Sequence, residues 1–182
     1  MTNNLENQLQ KIKILICDLD GVFTDGSLYI GADGNEMKRF HVLDGAGVAL
    51  LKAVDFPLAV ISGRGSGASS QRMREIGLEK DLYQGNLAKI EPYMAIKEKY
   101  GVADAEIAYV GDDLVDIPLM KRVGVPMAVA NALPEVKANA LYISRTAGGH
   151  GAVREIIELI LQAQHRYREA VERLAQHTYK DK

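Results

Sequence analysis

The sequence predicts an α/β protein: a Rossmann-like, mostly parallel sheet flanked by helices, without an inserted cap, and with a β-hairpin flap after the first strand. Three observations predict it. Short apolar runs rich in β-branched residues alternate with helical patterns of about ten residues or more, as successive βα units do. Where the first runs end, acidic or small polar residues follow, which marks the C-terminal strand ends, where such sheets bind ligands. The connections are short, and no repeat, low-complexity tract or Pro/Ser-rich linker divides residues 1–182, so one domain is expected.

The first run, residues 12–17, reads as a buried parallel strand rather than a helix. Because successive strand residues point to opposite faces, Asp18 and Asp20 share a side and Leu19 points away, before Gly21 breaks the strand. Next, "SLYIGADGNEMKRFHV" shows two strand-like arms around Gly31-Ala32-Asp33-Gly34-Asn35, a hairpin over about residues 26–42 that projects just beyond Asp20. "DGAGVALLKAV" is a short helix, with Asp44 expected at its N-cap and Val48, Leu51 and Val54 at helical spacing. "FPLAVISGRGSG" is a second apolar strand, followed by a helix over 69–76. The pattern repeats as a brief strand at "DLYQG", a helix over about 89–100, the strand "EIAYVGDD", a helix to Val123, the strand "VPMAVA", a short strand "ALYIS" and a C-terminal helix. The tail over 165–182, "HRYREAVERLAQHTYKDK", places Tyr167, Val171 and Leu174 at helical spacing and reads as a helical extension without chemistry.

Composition narrows the function classes. With 182 residues and 47% hydrophobic content the chain can bury a full core. A net charge of −2 with both signs interspersed provides no basic footprint for nucleic acid and no polybasic membrane patch, so small or anionic ligands remain. The lone Cys17 lies in the first strand and cannot form an intrachain disulfide, which fits a reducing cytosol. No signal peptide opens the chain, and no apolar stretch approaches the roughly 20 residues a membrane span needs. A soluble, cytoplasmic protein is expected.

The acidic strand ends carry the chemistry. Two carboxylates about 5 Å apart repel by roughly 3 kcal/mol at an effective dielectric near 20, so Asp18 and Asp20 call for compensation. Either turn amides supply it, as in Asx turns, or the pair belongs to a hard-cation site with a nucleophilic or acid/base carboxylate. A second acidic end, "AYVGDDLVD", contains Asp112, Asp113 and Asp116, and helix capping accounts comfortably for one of these, not three. Ser62, Gly63 and Arg64 end the second strand with a hydroxyl and loop amides at a helix start, an anion-site arrangement that matches neither the phosphate-loop nor the dinucleotide fingerprint. Lys89, close behind "YQG", is a candidate phosphate ligand.

In this order, "DLDGV", "ISGR", Lys89 and "GDDLVD" resemble the four motifs of the haloacid dehalogenase superfamily of phosphotransferases. The resemblance implies that Asp18 is the nucleophile and Asp20 the acid/base. It implies Mg²⁺ held by the Asp18 carboxylate, the Asp20 backbone carbonyl and Asp112, with Ser62, Gly63 and Lys89 on the phosphate and Asp113 and Asp116 supporting the metal ligands. "GVFTDG", "FHVLDGAG", "YQG" with Lys89, "GDDLVDIP" and "GGHGAVRE", from Leu15 to about Gln164, resemble a capless branch that dephosphorylates an octulosonate 8-phosphate of lipopolysaccharide sugar synthesis. A nine-carbon sugar acid phosphate of the N-acylneuraminate type is the alternative substrate. A non-catalytic receiver domain fits less well, because receivers take phosphate on a middle-strand aspartate and lack the second acid. Arg64, Arg72 and Arg154 are candidate contacts to the substrate; His41 and His150 are structural or substrate contacts rather than metal ligands. The resemblance also implies a homotetramer built by the hairpins; residues 148–155, from their glycines and Arg154, then read as a flexible lid over the open site, with a Gly-rich loop and an ordinary helix start as the alternative.

Overall fold

The structure, a computed structural model, describes residues 3–178; residues 179–182 of the expected C-terminal extension lie outside the described residues. Six parallel strands form one sheet in the order β5-β4-β1-β6-β7-β8: β1 (Ile14–Asp18), β4 (Leu58–Ser62), β5 (Leu82–Gln84), β6 (Ile107–Gly111), β7 (Val125–Ala128) and β8 (Tyr142–Ile143). The expected mostly parallel, capless sheet is observed. Every residue of β1, β4, β6 and β7 is buried, which explains why these strands read as continuous apolar runs rather than alternating ones. Registration of Ile16 with Ala59 on one side and Tyr109 on the other makes β1 the central strand. The chain builds outward from β1 to β4 and β5, then returns to lay β6, β7 and β8 on the opposite side. That reversal leaves a crevice at the C-terminal ends of β1, β4 and β6, the place such sheets use for ligands.

Helices α2 (Val42–Ala53), α7 (Ala152–Ala163) and α8 (Tyr167–Thr178) pack together with α1 (Asn3–Leu9). α4 (Ile90–Tyr100) packs with α5 (Ile117–Met120); α3 (Gly67–Glu75) follows β4 and α6 (Pro134–Lys137) follows β7. α7 buries Val153, Ile156, Ile157, Ile160 and Leu161, a stripe at helical spacing. The hairpin is present as β2 (Tyr29–Ile30) and β3 (Glu36–Met37), paired antiparallel.

Three local expectations differ. The helix expected up to Val123 is broken into a single 3₁₀ turn, Leu114–Asp116, and the four-residue α5, because Pro118 cannot supply an amide to a continuous helix. α1 has no counterpart in the sequence reading; Leu5 and Leu9 bury its inner side. Asp44 does not cap its own helix. α2 begins at Val42 with His41 at the N-cap, and the buried Asp44 carboxylate instead accepts the Arg154 amide at 3.0 Å at the start of α7. In the extension, Tyr167 and Leu174 pack on the core, Val171 stays exposed, and Arg166 bonds the Val54 carbonyl at the end of α2.

Glu155, in "GGHGAVRE", organises the connection between β8 and α7. It accepts the Tyr142 hydroxyl (2.7 Å), the Arg145 amide (2.9 Å), the Thr146 amide (3.0 Å) and the Thr146 hydroxyl (2.6 Å). Burial alone would raise its pKa, but these donors together hold it down at about 2. A group depressed in the folded state contributes stability that is complete above its unfolded value of 4.5 and lost as pH falls toward 2. Glu155→Gln is therefore expected to lower stability at neutral pH by about 1–3 kcal/mol. In denaturant titrations the difference from wild type should shrink as the pH is lowered from 4.5 toward 2; a constant difference would mean that the charge plays no part.

Candidate active site

The site begins where β1 ends. The Leu19 carbonyl accepts the amides of Val22 (3.3 Å), Phe23 (2.9 Å) and Thr24 (3.1 Å), so the chain curls directly after Asp18. The buried Thr24 hydroxyl accepts the amides of Gly21 and Gly26, both at 3.2 Å, and closes the "GVFTDG" loop. Gly21 sits at φ +93°, and a Cβ there would lie 2.0 Å from Asp112 Oδ2. Only glycine permits this approach of the β1 loop to the β6 loop.

At the bottom of the crevice Lys89, the residue preceding α4, is buried with its Nζ 2.7 Å from Asp18 Oδ1 and 2.6 Å from Asp116 Oδ1. Burial would lower the ammonium, but the two carboxylates hold its pKa above the ordinary value. Asp116 Oδ1 also accepts the Tyr109 hydroxyl at 2.6 Å, and Oδ2 accepts the amides of Asp112 (2.9 Å) and Asp113 (3.1 Å). Asp113 is exposed and bonds the Leu114 amide at 2.6 Å, an ordinary cap. Asp18 and Asp112 are both pushed above the usual carboxylate range, Asp18 by burial against the opposing pull of Lys89, Asp112 by burial and by the charges of Asp18 and Asp116.

These groups fit a hard divalent cation. Oxygens of Asp18, Asp112 and Asp116 lie within 4.8 Å of one another. Asp112 Oδ1 is buried without a hydrogen-bond partner, an acceptor that a cation would satisfy. An all-oxygen donor set suits Mg²⁺ rather than a softer metal. Of the three, Asp116 has its lone pairs filled by Lys89, Tyr109 and two amides, which suits it to orienting its neighbours, and leaves Asp18 and Asp112 as the available carboxylates.

Asp20 faces the crevice from the other side. Ser62, buried at the end of β4, donates its hydroxyl to Asp20 Oδ2 (3.2 Å) and accepts the Arg64 amide (3.2 Å); Gly63 follows it in the same loop. Asp20 Oδ1 is held at 2.6 Å by Lys38, a residue the sequence reading passed over as part of a hairpin arm. Tyr109, buried inside β6, was also missed, since an aromatic in an apolar strand carries no mark of its hydroxyl's role.

The three candidate arginines fare differently. Arg64 lies at the mouth, paired with Glu36 of the hairpin at 2.6 Å. Arg72 reaches toward Gly45 on α2 and pairs with Glu75 at 3.2 Å; Arg154 packs over Gly47 and pairs with Glu158 at 2.5 Å. Both are engaged among α2, α3 and α7 rather than with the strand ends. The expected lid over 148–155 is a packed buttress: the Gly148 amide bonds Asn131 Oδ1 (2.8 Å), the Gly149 amide bonds the Val22 carbonyl (3.0 Å), and both glycines are buried. A Cβ on Gly148 would fall 1.7 Å from the Gly21 carbonyl oxygen. His150 joins this loop to the hairpin through Arg39, at 2.9 Å.

Comparison with known proteins agrees with this geometry. The family profile of haloacid dehalogenase-like hydrolases matches residues 67–157. The chain is 42% identical over 161 residues to the 3-deoxy-D-manno-octulosonate 8-phosphate phosphatase KdsC of Escherichia coli K12, covering 88% of this chain and 85% of that protein. The crystal structure of the 3-deoxy-D-manno-octulosonate 8-phosphate phosphatase of Yersinia pestis superposes with a TM-score of 0.89 at 39% identity, over 92% of this chain and 90% of that one. The enzyme of that name from Moraxella catarrhalis, in complex with magnesium ion, phosphate ion and KDO, superposes with a TM-score of 0.89 at 34% identity, over 94% of this chain and 98% of that one. That share reaches beyond the stretch from Leu15 to Gln164.

If Asp112 is a cation ligand and Asp113 only a cap, the two neighbours should separate cleanly. Asp112→Asn is expected to weaken Mg²⁺ binding, measured calorimetrically without substrate, by about tenfold or more. Asp113→Asn should leave it unchanged; equal effects from both would undo the assignment.

Proposed function

The chain belongs to the haloacid dehalogenase-like hydrolases, and we propose that it hydrolyses 3-deoxy-D-manno-octulosonate 8-phosphate to the free sugar acid and phosphate, as a Mg²⁺-dependent phosphomonoesterase of lipopolysaccharide sugar synthesis. One observation carries the reading: Asp18, Asp112 and Lys89 meet, together with Asp20 and Ser62, at the crevice where the strand order reverses. The relative that binds magnesium, phosphate and KDO supports the substrate and the ion.

The residues divide the work. An Asp18 carboxylate oxygen attacks phosphorus while the P–O bond to the sugar breaks, and Asp20 gives its proton to the departing oxygen. Asp20, now a carboxylate, takes a proton from water whose oxygen attacks the aspartyl-phosphate; the bond to Asp18 breaks and phosphate leaves. Lys89, the Ser62 hydroxyl and the Gly63 amide hold the equatorial oxygens, where charge accumulates in the transition state. The carboxylates of Asp18 and Asp112 and the Asp20 carbonyl would hold Mg²⁺, which supplies charge neutralisation at the phosphoryl group when bound. Asp116 fixes Lys89 and the β6 loop. Arg64, free to exchange its surface pairing with Glu36 for the sugar carboxylate, is the substrate contact; Arg72 and Arg154 are left out of that role.

The protein acts as one catalytic unit in the cytoplasm, a setting with which the single buried thiol of Cys17 is compatible and in which no described helix is long and apolar enough to cross a membrane. It assembles as a homotetramer through its hairpins, which leave Leu28, Tyr29, Ile30 and Met37 exposed, beside Val42 and Leu43.

Phosphate release should be abolished by excess EDTA and reduced more than about 10³-fold by Asp18→Asn; full activity under either condition would sink the mechanism. A screen with N-acylneuraminate 9-phosphate as competitor tests the substrate, with the octulosonate ester expected to have the larger kcat/KM. For assembly, Ile30→Asp should shift the protein in sizing experiments from tetramer to a smaller species. A wild-type monomer would refute the assembly.

A further inference from the structure

Lys38 has no part in the reaction as written above, yet its side chain is fully buried and its Nζ lies 2.6 Å from Asp20 Oδ1. We infer that Lys38 is a positioning residue for Asp20, holding the acid/base carboxylate in the orientation from which it reaches the departing oxygen. The inference rests on the reading of Asp20 as that acid/base.

Oδ1 of Asp20 is held by Lys38, whereas Oδ2 has only the Ser62 hydroxyl at 3.2 Å, whose one proton is also within reach of the Arg64 carbonyl at 3.0 Å, so Oδ2 is the oxygen left to carry the proton. The charge-assisted contact is the shorter and the stronger of the two, so it dominates the carboxylate torsion. The ammonium is itself fixed, bonding Ser69 Oγ at 3.2 Å on α3, with Glu36 Oε1 at 3.7 Å. Lys38 is not the hairpin's sole tie to this part of the domain. Glu36 joins β3 to the N-cap of α3 through the Ser66 hydroxyl at 2.5 Å, besides its surface pairing with Arg64 at 2.6 Å, and neither contact touches Asp20. A buried ammonium costs several kcal/mol unless well paired, and the pairing chosen here is with the group that moves the proton. The hairpin thereby reaches into the chemistry through one side chain. Displacements of about 1 Å in a reacting group can cost 10²-fold in rate.

The leaving group provides the test. As the P–O bond breaks, an alcohol oxygen needs the Asp20 proton, phenol needs it less, and p-nitrophenolate departs as the anion without it. Attack by Asp18, phosphate binding and metal binding are common to all three esters, and kcat/KM reports only steps up to departure of the leaving group. In Lys38→Met, kcat/KM should therefore fall in the order octulosonate 8-phosphate, then phenyl phosphate, then p-nitrophenyl phosphate. The sugar ester is expected to lose about tenfold or more relative to the nitrophenyl ester, within the range that general acids contribute. These ratios do not depend on the folded fraction of the preparation. Lys38→Arg, which keeps a charged donor, should show the same order with smaller losses. Equal losses on the two aryl esters would overturn the inference: Lys38 would then be a structural residue if the sugar ester falls with them, or a sugar contact if it alone falls. Should wild type fail on the octulosonate ester, the substrate assignment falls, while the aryl pair still decides the role of Lys38.

Discussion

Lys89 between Asp18 and Asp116 is the interaction on which the remainder of the site depends. Three carboxylates stand at the end of apolar, fully buried strands, and uncompensated burial of even one would be costly. A single ammonium, 2.7 and 2.6 Å from two of them, makes the cluster tolerable. It does so incompletely. Asp18 and Asp112 remain pushed up, and Asp112 keeps a buried oxygen with no partner. The residual imbalance is what creates affinity for a divalent cation, which supplies the positive charge that one ammonium among three carboxylates leaves wanting. A second buried lysine here would remove that deficit, and with it the reason to bind metal.

Geometry around this cluster is imposed by main chain rather than by long side chains. The β1 loop is curled onto the Leu19 carbonyl, Gly21 lies against Asp112, and Gly148 lies against Gly21. Asp44 and Glu155 hold the far side of that stack by gathering backbone amides of α7 and of the β8 to α7 connection. Segments remote in sequence are thus layered at close range, Gly148 on the Gly21 main chain and Gly21 on the Asp112 carboxylate, and a Cβ on either glycine would disrupt the contact. Rigid layers of this kind suit phosphoryl transfer, where positioning and charge contribute more than covalent variety.

What was legible in the sequence follows from what periodicity and strand ends encode. The parallel sheet, the hairpin, and Asp18, Asp20, Ser62, Lys89 and Asp112 at strand ends could be read because chemistry at the end of an apolar run stands out against it. Lys38 could not, because it lies one residue past a two-residue strand, and only the hairpin's docking on α3 turns its side chain inward. Tyr109 was hidden as an ordinary core residue. Arg72 and Arg154 lie beside α2 rather than at the strand ends, since proximity in sequence to a motif says nothing of direction. Glycines at 148–151 suggested mobility where the structure uses them for close packing, two opposite consequences of the same missing Cβ. The broken helix after Asp113 was legible in retrospect from Pro118.

The hairpin then acquires a double character from one alternation. Its inward groups are polar and charged, Glu36 and Lys38, and they engage Ser66, Ser69, Arg64 and Asp20. Its other face carries the apolar cross-strand partners Tyr29 and Met37, both more than half exposed. In a protein without a cap domain this reverses the usual order of core inside and charge outside. The polar face is specified by the catalytic domain beneath it, whereas the apolar face has a hydrophobic driving force to be covered. Covering it would restrict the hairpin from above while Lys38 ties it to Asp20 from below. Assembly and acid/base geometry would then be coupled through some ten residues of chain. A capless fold can in this way obtain, from its own surface, the closure that related architectures build from an inserted domain.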